Sequence, residues 1–428
     1  MKEISPLVSV ILTSYNKPLT IGKAIESVLN QTYTNWELFI MDDNSKLETV
    51  NVIKTYITDS RISYINSQIK DNDRYKTTRY ATLINQAISK TRGKYITYLT
   101  DDNIFYPDRL RTMVHFLEQK RVDIAYSKQQ VKWIDDSNGE IREGIRRTYG
   151  VIKNAAGLVD HCSVMHTRAI AEEVFRKYGS YWDDNAKNWN YGDAAFWNRL
   201  TEFRPFYPIR MILDLAWKGH DSFQMLYTNM PSSIPNGTLV RGLSDDVFLI
   251  DLQLRRKIHP QTFIDLKYDP KNIVRIPDPF LFKYQEGNTV DSRVFNDFSI
   301  FPNQRLISSE RDTSVYYIQN NKKHLIKNDK AFEDYKFNKE YINLVSNCLW
   351  SGIPEGQPIE ELNKNISILP DGVLYKIQNH FYISLNNCLH LIEENVVKKL
   401  KLPFTDPVIL ESGFLTRFKQ GEPFVWVN

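Results

Sequence analysis

Cysteine is scarce: Cys162, Cys348 and Cys388 are the only three in 428 residues, and no C-x-x-C pair occurs. A disulfide framework and the common zinc-binding spacings are therefore not expected. No run of 18 apolar residues occurs either, which argues against a membrane-spanning helix. The opening "MKEISPLVSVIL" lacks the basic head and long apolar stretch of a secretion signal. Charge excess is small: the formal net charge is +4, without a long Lys/Arg run, so nothing favours nucleic acid as a partner. After the first apolar segment stands "TSYNKP" rather than G-x-G-x-x-G or a P-loop. That argues against a dinucleotide dehydrogenase and against a P-loop NTPase. The expectation from these absences is a soluble, cytoplasmic protein.

What is present is alternation. A chain of this length exceeds one ordinary core, so two or more domains are expected. "LVSVILTSYN" reads as a buried strand ending near Thr13. "TIGKAIESVLNQ" follows with Ile21, Ala24, Ile25, Val28 and Leu29 at helical spacing. "WELFIMDDNS", "ISYINS" and "KYITYLTDDN" read as further strands, separated by "LETVNVIKTYI" and "TTRYATLINQAISK" as helices. "PDRLRTMVHFLEQ" reads as the next helix, with Pro107 in its first turn. Alternating strands and helices predict a mostly parallel sheet covered on both faces. Ligands of such sheets bind beyond the carboxyl ends of the strands. Three strands deliver polar residues there: Thr13 and Tyr15, Asp42 and Asp43, Asp101 and Asp102. Two adjacent buried carboxylates repel each other and lose hydration, so a ligand or cation is expected to compensate them.

The blocks "VSVILTSYN", "ELFIMDDNS", "GKYITYLTDDN" and "DHCSVMH", with "KTTRYATLINQAI", "YGSYWDD", "YGDAAFW" and "PFYP", occur in that order in the first half, apart from the fifth, which precedes the third. Together they resemble family 2 glycosyltransferases, which have the Rossmann-like GT-A fold. The resemblance spans roughly residues 5 to 230 and implies a nucleoside diphosphate sugar donor, UDP- or dTDP-linked. It implies that Asp43 accepts the pyrimidine N3–H, that Thr13 and Tyr15 wall the base and ribose, and that Arg79 faces the base or a phosphate. Asp101 would read the ribose hydroxyls. Asp102 would hold a divalent cation, Mn²⁺ or Mg²⁺, on the diphosphate. The family's usual Asp-x-Asp is here an adjacent pair after Thr100. Neighbouring strand residues face opposite sides, so one acid is expected on the metal; Asp102 is the choice, with Asp101 the alternative.

Asp193, in "NYGDAAFWNRL", matches the family's general base for an inverting displacement. Its place at a helix start is expected to lower its pKa and keep it ionised. Asp160 and His161 are candidate acceptor contacts, and His220 in "WKGHDSF" is a candidate contact from a closing loop, or a surface histidine. Asp43 with Asn44 and Ser45, and Asp193 itself, also suit plain helix caps.

From about Gly237 the character changes. "VFLIDLQLRRKI", "VYYIQNNKKHLI" and "FYISLNNCLHLI" each read as a hairpin, and each leads through a short helical stretch to a glycine, Gly287, Gly356 or Gly421. The hairpins start at residues 247, 315 and 381, a regular spacing that marks an internal repeat. The expected domains are 1–234, the GT-A catalytic domain, and 235–428, three β-rich repeats near 237–300, 301–365 and 366–428. One repeat is too small for its own core, so the three are expected to pack together. No acid cluster recurs in all three, which favours binding or assembly, including a homo-oligomer. Their aromatics Tyr316, Tyr317, Phe381 and Tyr382 are expected to be exposed in part.

The function expected is an inverting, metal-dependent glycosyltransferase acting on a glycan, lipid-linked or peptide acceptor. The rivals are a sugar nucleotidyltransferase, which needs a Gly/Arg-rich loop absent from "TSYNKPLT", and a non-catalytic sugar-nucleotide scaffold, which needs no base.

Overall fold

The computed structural model describes residues 5–134, 141–219, 222–309, 312–403 and 405–426. The chain divides into two compact units, Met1–Met225 and Leu226–Asn428.

The first unit is built on a nine-stranded mixed sheet. Strands β1 (Val8–Ser14), β2 (Trp36–Asp42), β3 (Ile62–Asn66) and β4 (Tyr95–Thr100) are parallel, in the order β3-β2-β1-β4. Helices α1 (Ile21–Leu29), α2 (Leu47–Lys54) and α3 (Arg79–Ile88) connect them. Next come β5 (Ile104–Phe105), α4 (Arg109–Lys120), β6 (Ile124–Ile134), β7 (Ile141–Arg146), β8 (Val164–Thr167), α5 (Arg168–Tyr178), α6 (Gly192–Thr201) and β9 (Tyr207–Lys218). The sheet continues from β4 through antiparallel β8 to β6, β9 and β5, and β7 pairs with β6.

Strand β1 is buried along its whole length, because helices cover both faces. Val8, Val10 and Leu12 face a core shared with α1 and α4, whereas Ile11 faces the core of α3, α5 and α6. The chain runs outward from β1 to β3 and then returns to β4 on the other side of β1. That reversal opens a crevice at the carboxyl ends of β1 and β4, the usual ligand position in open α/β sheets.

The second unit contains three sheets. The first comprises β10 (Leu239–Arg241), β11 (Val247–Asp251), β12 (Leu254–Ile258), β13 (Val274–Arg275) and β14 (Gln285–Glu286). The second comprises β15 (Leu306–Ser309), β16 (Tyr316–Gln319), β17 (Lys322–Leu325) and β18 (Ile342–Val345). The third comprises β19 (Leu374–Ile377), β20 (His380–Leu385), β21 (Cys388–Ile392), β22 (Val408–Leu410) and β23 (Lys419–Phe424). Each has a hairpin whose two turn residues take positive φ: Leu252 and Gln253, Asn320 and Asn321, Asn386 and Asn387. Such two-residue turns match the strand twist and favour Asn.

Each core of this unit is shared by two sheets. Leu249, Tyr316 and Ile318 join the first sheet to the second; Tyr317, Tyr375 and Tyr382 join the second to the third; Ile250, Phe381 and Ile383 join the third to the first. The three sheets thus close a ring, and adjacent residues on each central strand serve different cores. Near its middle, the Gln304 side chain donates to the Asn236 carbonyl at 3.0 Å and leaves no room for a Cβ on Gly237 or Gly372, both at positive φ.

The expectation of exposed hairpin aromatics is overturned. Tyr316, Tyr317, Phe381 and Tyr382 are all buried, because both faces of each sheet lie against a core. The boundary also falls earlier than residue 234. Met230 and Ile234 are buried in the core of the first and third sheets, so the segment from Leu226 goes with the second unit.

Candidate active site

The register of the parallel strands brings the sequence-selected acids together. Thr13 on β1 pairs with Met41 on β2 and Thr100 on β4. The residues just beyond, Tyr15, Asp43, Asp101 and Asp102, therefore share the crevice edge. Asp101 is buried and accepts a 2.7 Å hydrogen bond from the Tyr15 backbone N–H. Burial, then the neighbouring Asp102 charge, raise its pKa well above the carboxylate range. Asp102 is less buried; its Oδ1 accepts from Thr100 Oγ1 at 2.8 Å, and among the described residues Oδ2 has no further partner. The two acids thus differ: one is held by backbone, the other keeps an oxygen free at the crevice. A part-exposed carboxylate with a free oxygen suits a divalent cation whose other ligands are phosphates and water.

Asp43 is buried and doubly paired. Arg74 Nη1 and Arg79 Nη2 each donate to it at 2.7 Å, and Ser67 Oγ donates at 3.1 Å. The Arg74 guanidinium also lies 4.2 Å over the Tyr15 ring, tying the end of β1 to that of β2. Asp42, the preceding acid, points away and is satisfied by Tyr64, Asn66 and the Ser45 N–H. Arg79 stands at the first turn of α3 and is held by Asp43, so it does not project freely.

Asp193 is the second residue of α6, whose Phe196, Trp197 and Leu200 are fully buried. Tyr80 on α3 accepts from the Gly192 N–H at 3.0 Å and donates to the Trp189 carbonyl at 3.1 Å, fixing the start of α6. The expected lowering of the Asp193 pKa by the helix N-terminus is not found: the pKa is raised. Burial is the largest cause and Asp160 adds to it, against an opposing pull from His161 and the Ala194 N–H. Burial outweighs the helix end because helix-end charge effects are small, about 0.3–1 kcal/mol at exposed sites.

Asp160 is half-buried, and Arg146 Nη1 donates to it at 2.5 Å. Burial alone would raise its pKa; Lys218, His161 and Arg146 overcome this and hold it below the usual range. For His161 burial acts downward, but Cys162, Asp160 and Asp193 outweigh it and raise its pKa. Atoms of Asp160, His161 and Cys162 lie within 4.8 Å of one another, close enough to meet on an ion. Arg146 already compensates Asp160, however, and Asn103 Nδ2 donates to Cys162 Sγ at 3.1 Å. His166, five residues after His161, is a core residue: Tyr98 Oη and the Thr167 carbonyl meet its ring nitrogens at 2.6 and 2.9 Å. His220 lies outside the described residues.

The family model for Glycosyl transferase family 2 matches residues 9–179. Protein CgeD of Bacillus subtilis (strain 168) is 40% identical over 423 residues, covering 97% of this chain and 95% of that one. The chain belongs to glycosyl transferase family 2. The putative glycosyltransferase EpsE of the same organism is 36% identical over 116 residues, 27% of this chain and 40% of that one. The Escherichia coli enzyme named UDP-Glc:alpha-D-GlcNAc-diphosphoundecaprenol beta-1,3-glucosyltransferase WfaP is 35% identical over 126 residues, 29% of this chain and 47% of that one.

Several residues that brace this crevice are not marked by the sequence. Arg74 lies in the polar stretch "KDNDRYK", where no periodicity marks it, and only the i, i+3 pairing with Asp71 hints at a fixed side chain. Beneath Asp160, Gln129 donates to it at 3.3 Å and to Asp214 at 2.5 Å. Arg109 is fully buried and donates to the Cys162 carbonyl and, at 3.0 Å, to Thr97, bracing the turn that carries His161. Nothing in the sequence separates such a buried arginine from a surface one. Among the described residues no helix is long and apolar enough to cross a membrane.

Proposed function

We propose that this family 2 chain is an inverting, metal-dependent glycosyltransferase that uses a UDP- or dTDP-sugar. The observation that carries the reading is the convergence of Tyr15, Asp43 and the Asp101–Asp102 pair at the β1/β4 crevice, at the carboxyl edge of the sheet. UDP as donor nucleotide is also supported by the name of the relative WfaP.

In this reading Thr13 and Tyr15 border the base and ribose, and Asp43, oriented by Arg74 and Arg79, accepts the pyrimidine N3–H. Asp101 binds ribose hydroxyls. Asp102 would hold Mn²⁺ or Mg²⁺, which when bound stabilises the charge on the leaving diphosphate. The acceptor hydroxyl attacks the anomeric carbon while its proton passes to Asp193. The bond from that carbon to the diphosphate oxygen breaks, and its electron pair leaves with the diphosphate. A carboxylate with a raised pKa is better matched to accept a proton near neutral pH than an ordinary one. His161 opposes that rise and favours the ionised base. Asp160 and His161 contact the acceptor, which is a glycan, a lipid-linked sugar or a peptide.

The second unit is assigned as three copies of one repeat that bind the acceptor or a second subunit, and the protein is assigned to the cytoplasm. A chain ending at Met225 that kept unchanged acceptor KM and unchanged mass in solution would remove the role given to the repeats; fractionation tests the compartment. For the reaction itself, nucleotide release from a panel of nucleotide sugars with Mn²⁺ is the test. Asp193→Asn should leave nucleotide binding intact and cut turnover by about 10²–10⁴-fold. Undiminished turnover in that variant refutes the base, and absence of turnover by the wild type with every donor and acceptor favours the non-catalytic scaffold.

A further inference from the structure

A second concave site lies on the opposite face of the ribbon that carries Gln129 and Arg146. Residues alternate across a strand, so where Gln129 faces Asp160, Lys128 and Gln130 face the other way. There they line a groove of about 910 Å³ together with Ile145, Arg147, Arg210 and Ile212.

Its charge is one-sided. Arg147 and Arg210 are exposed and Lys128 is half-buried, and among the described residues none of the three has an acidic partner. Glu143 is the single acid of the lining, and it is already engaged: Lys132 Nζ lies 2.6 Å from Oε1 and Gln130 donates to Oε2 at 3.0 Å. The backbone helps to build this charge. Ser127 pairs with Ile209 and the next residue, Lys128, pairs with Ile212, so Arg210 and Met211 are extra residues in a bulge of β9. Bulges re-aim side chains, and this one puts Arg210 on the groove. Ile145 and Ile212 add apolar surface to the lining.

Cations without acidic partners beside aliphatic surface attract a chain that carries both anions and apolar ring faces. We propose that the groove is an exosite for an anionic glycan, a saccharide chain bearing carboxylates or phosphates, which it holds while the chain's end is extended. The inference deepens the glycosyltransferase reading by naming the acceptor class, and it rests on that reading for the extension step. Binding at the groove does not involve the nucleotide site, so the two fail separately.

The experiment measures binding of the full chain to polygalacturonate, to neutral dextran of similar length, and to phosphatidylcholine vesicles containing phosphatidylglycerol. Calorimetry with UDP and Mn²⁺ is run alongside. Wild type should bind polygalacturonate and not dextran, with affinity falling as salt rises. Combined Lys128→Gln, Arg147→Gln and Arg210→Gln should weaken that binding roughly tenfold to a hundredfold, the loss of three cation–anion contacts at a solvent-accessible surface. UDP affinity should be unchanged. If the triple variant melts early, the Arg147→Gln and Arg210→Gln pair, both at exposed positions, should still give a several-fold loss. No binding of polygalacturonate, equal binding of dextran, tighter binding of the vesicles, or unweakened binding in a folded variant would each overturn the exosite. Failure of wild type to bind UDP would sink the donor reading and leave the groove result standing.

Discussion

Replacing Asp43 by Asn removes one negative charge from between two buried guanidinium groups. Arg74 is 2% exposed, Arg79 7% and Asp43 4%, so water cannot replace the lost carboxylate. Breaking a buried ion pair from one side costs about 3–5 kcal/mol, since it strands the partner charge. The two arginines are not equally stranded. Arg74 keeps Asp71 at 2.9 Å and the Asp43 carbonyl at 2.7 Å, whereas Arg79 keeps only Thr77 Oγ1 at 3.2 Å. The lower end, about 3 kcal/mol, is therefore expected. For a unit of this size that is a fall of roughly 6–12 °C in the first unit's transition. Scanning calorimetry reads it, with the second unit's transition as internal control. The same variant should lose most UDP affinity, because the carboxylate that would accept the pyrimidine N3–H is gone and the arginines that orient it lose their partner. A first transition within 2 °C of wild type, or UDP binding at wild-type strength, would refute the reasoning.

Stability should also fall as pH drops from about 6.5 to about 4, because burial depresses the His166 pKa to about 4. The unfolded chain takes up the proton first, so the stabilisation present above pH 6.5 is lost on acidification, by about 3 kcal/mol; a His166→Gln variant with the same acid-side loss in chemical denaturation would refute this. Deleting the third sheet, residues 366–428, should leave the second unit unfolded or insoluble, because two of its three cores lose one wall; a soluble, cooperatively melting product would show that the ring is dispensable.

Much of the fold was legible because its signals are local. The β1, β2 and β4 segments are apolar runs ending in polar residues, and their parallel register alone places Tyr15, Asp43 and Asp101 together. The hairpins were legible from two strands around polar pairs such as Asn320–Asn321. The failures are non-local. Tyr316 and Phe381 were misjudged because exposure of a strand face depends on whether a second core covers it. The Asp193 pKa was misjudged because burial among distant elements outweighs its helix position. Arg74, Arg109 and Asp214 act through partners dozens of residues away, which composition and periodicity do not register.

The central claim is that the crevice holds a nucleotide diphosphate through a cation on Asp102. Calorimetric titration of UDP into wild type and into Asp102→Asn, each with Mn²⁺ and with chelator, tests it most directly. Wild type should bind UDP more tightly with Mn²⁺ than with chelator, and Asp102→Asn should abolish most of that difference while melting as wild type does. Equal affinity of wild type with and without metal, or a full metal effect in Asp102→Asn, would contradict the account.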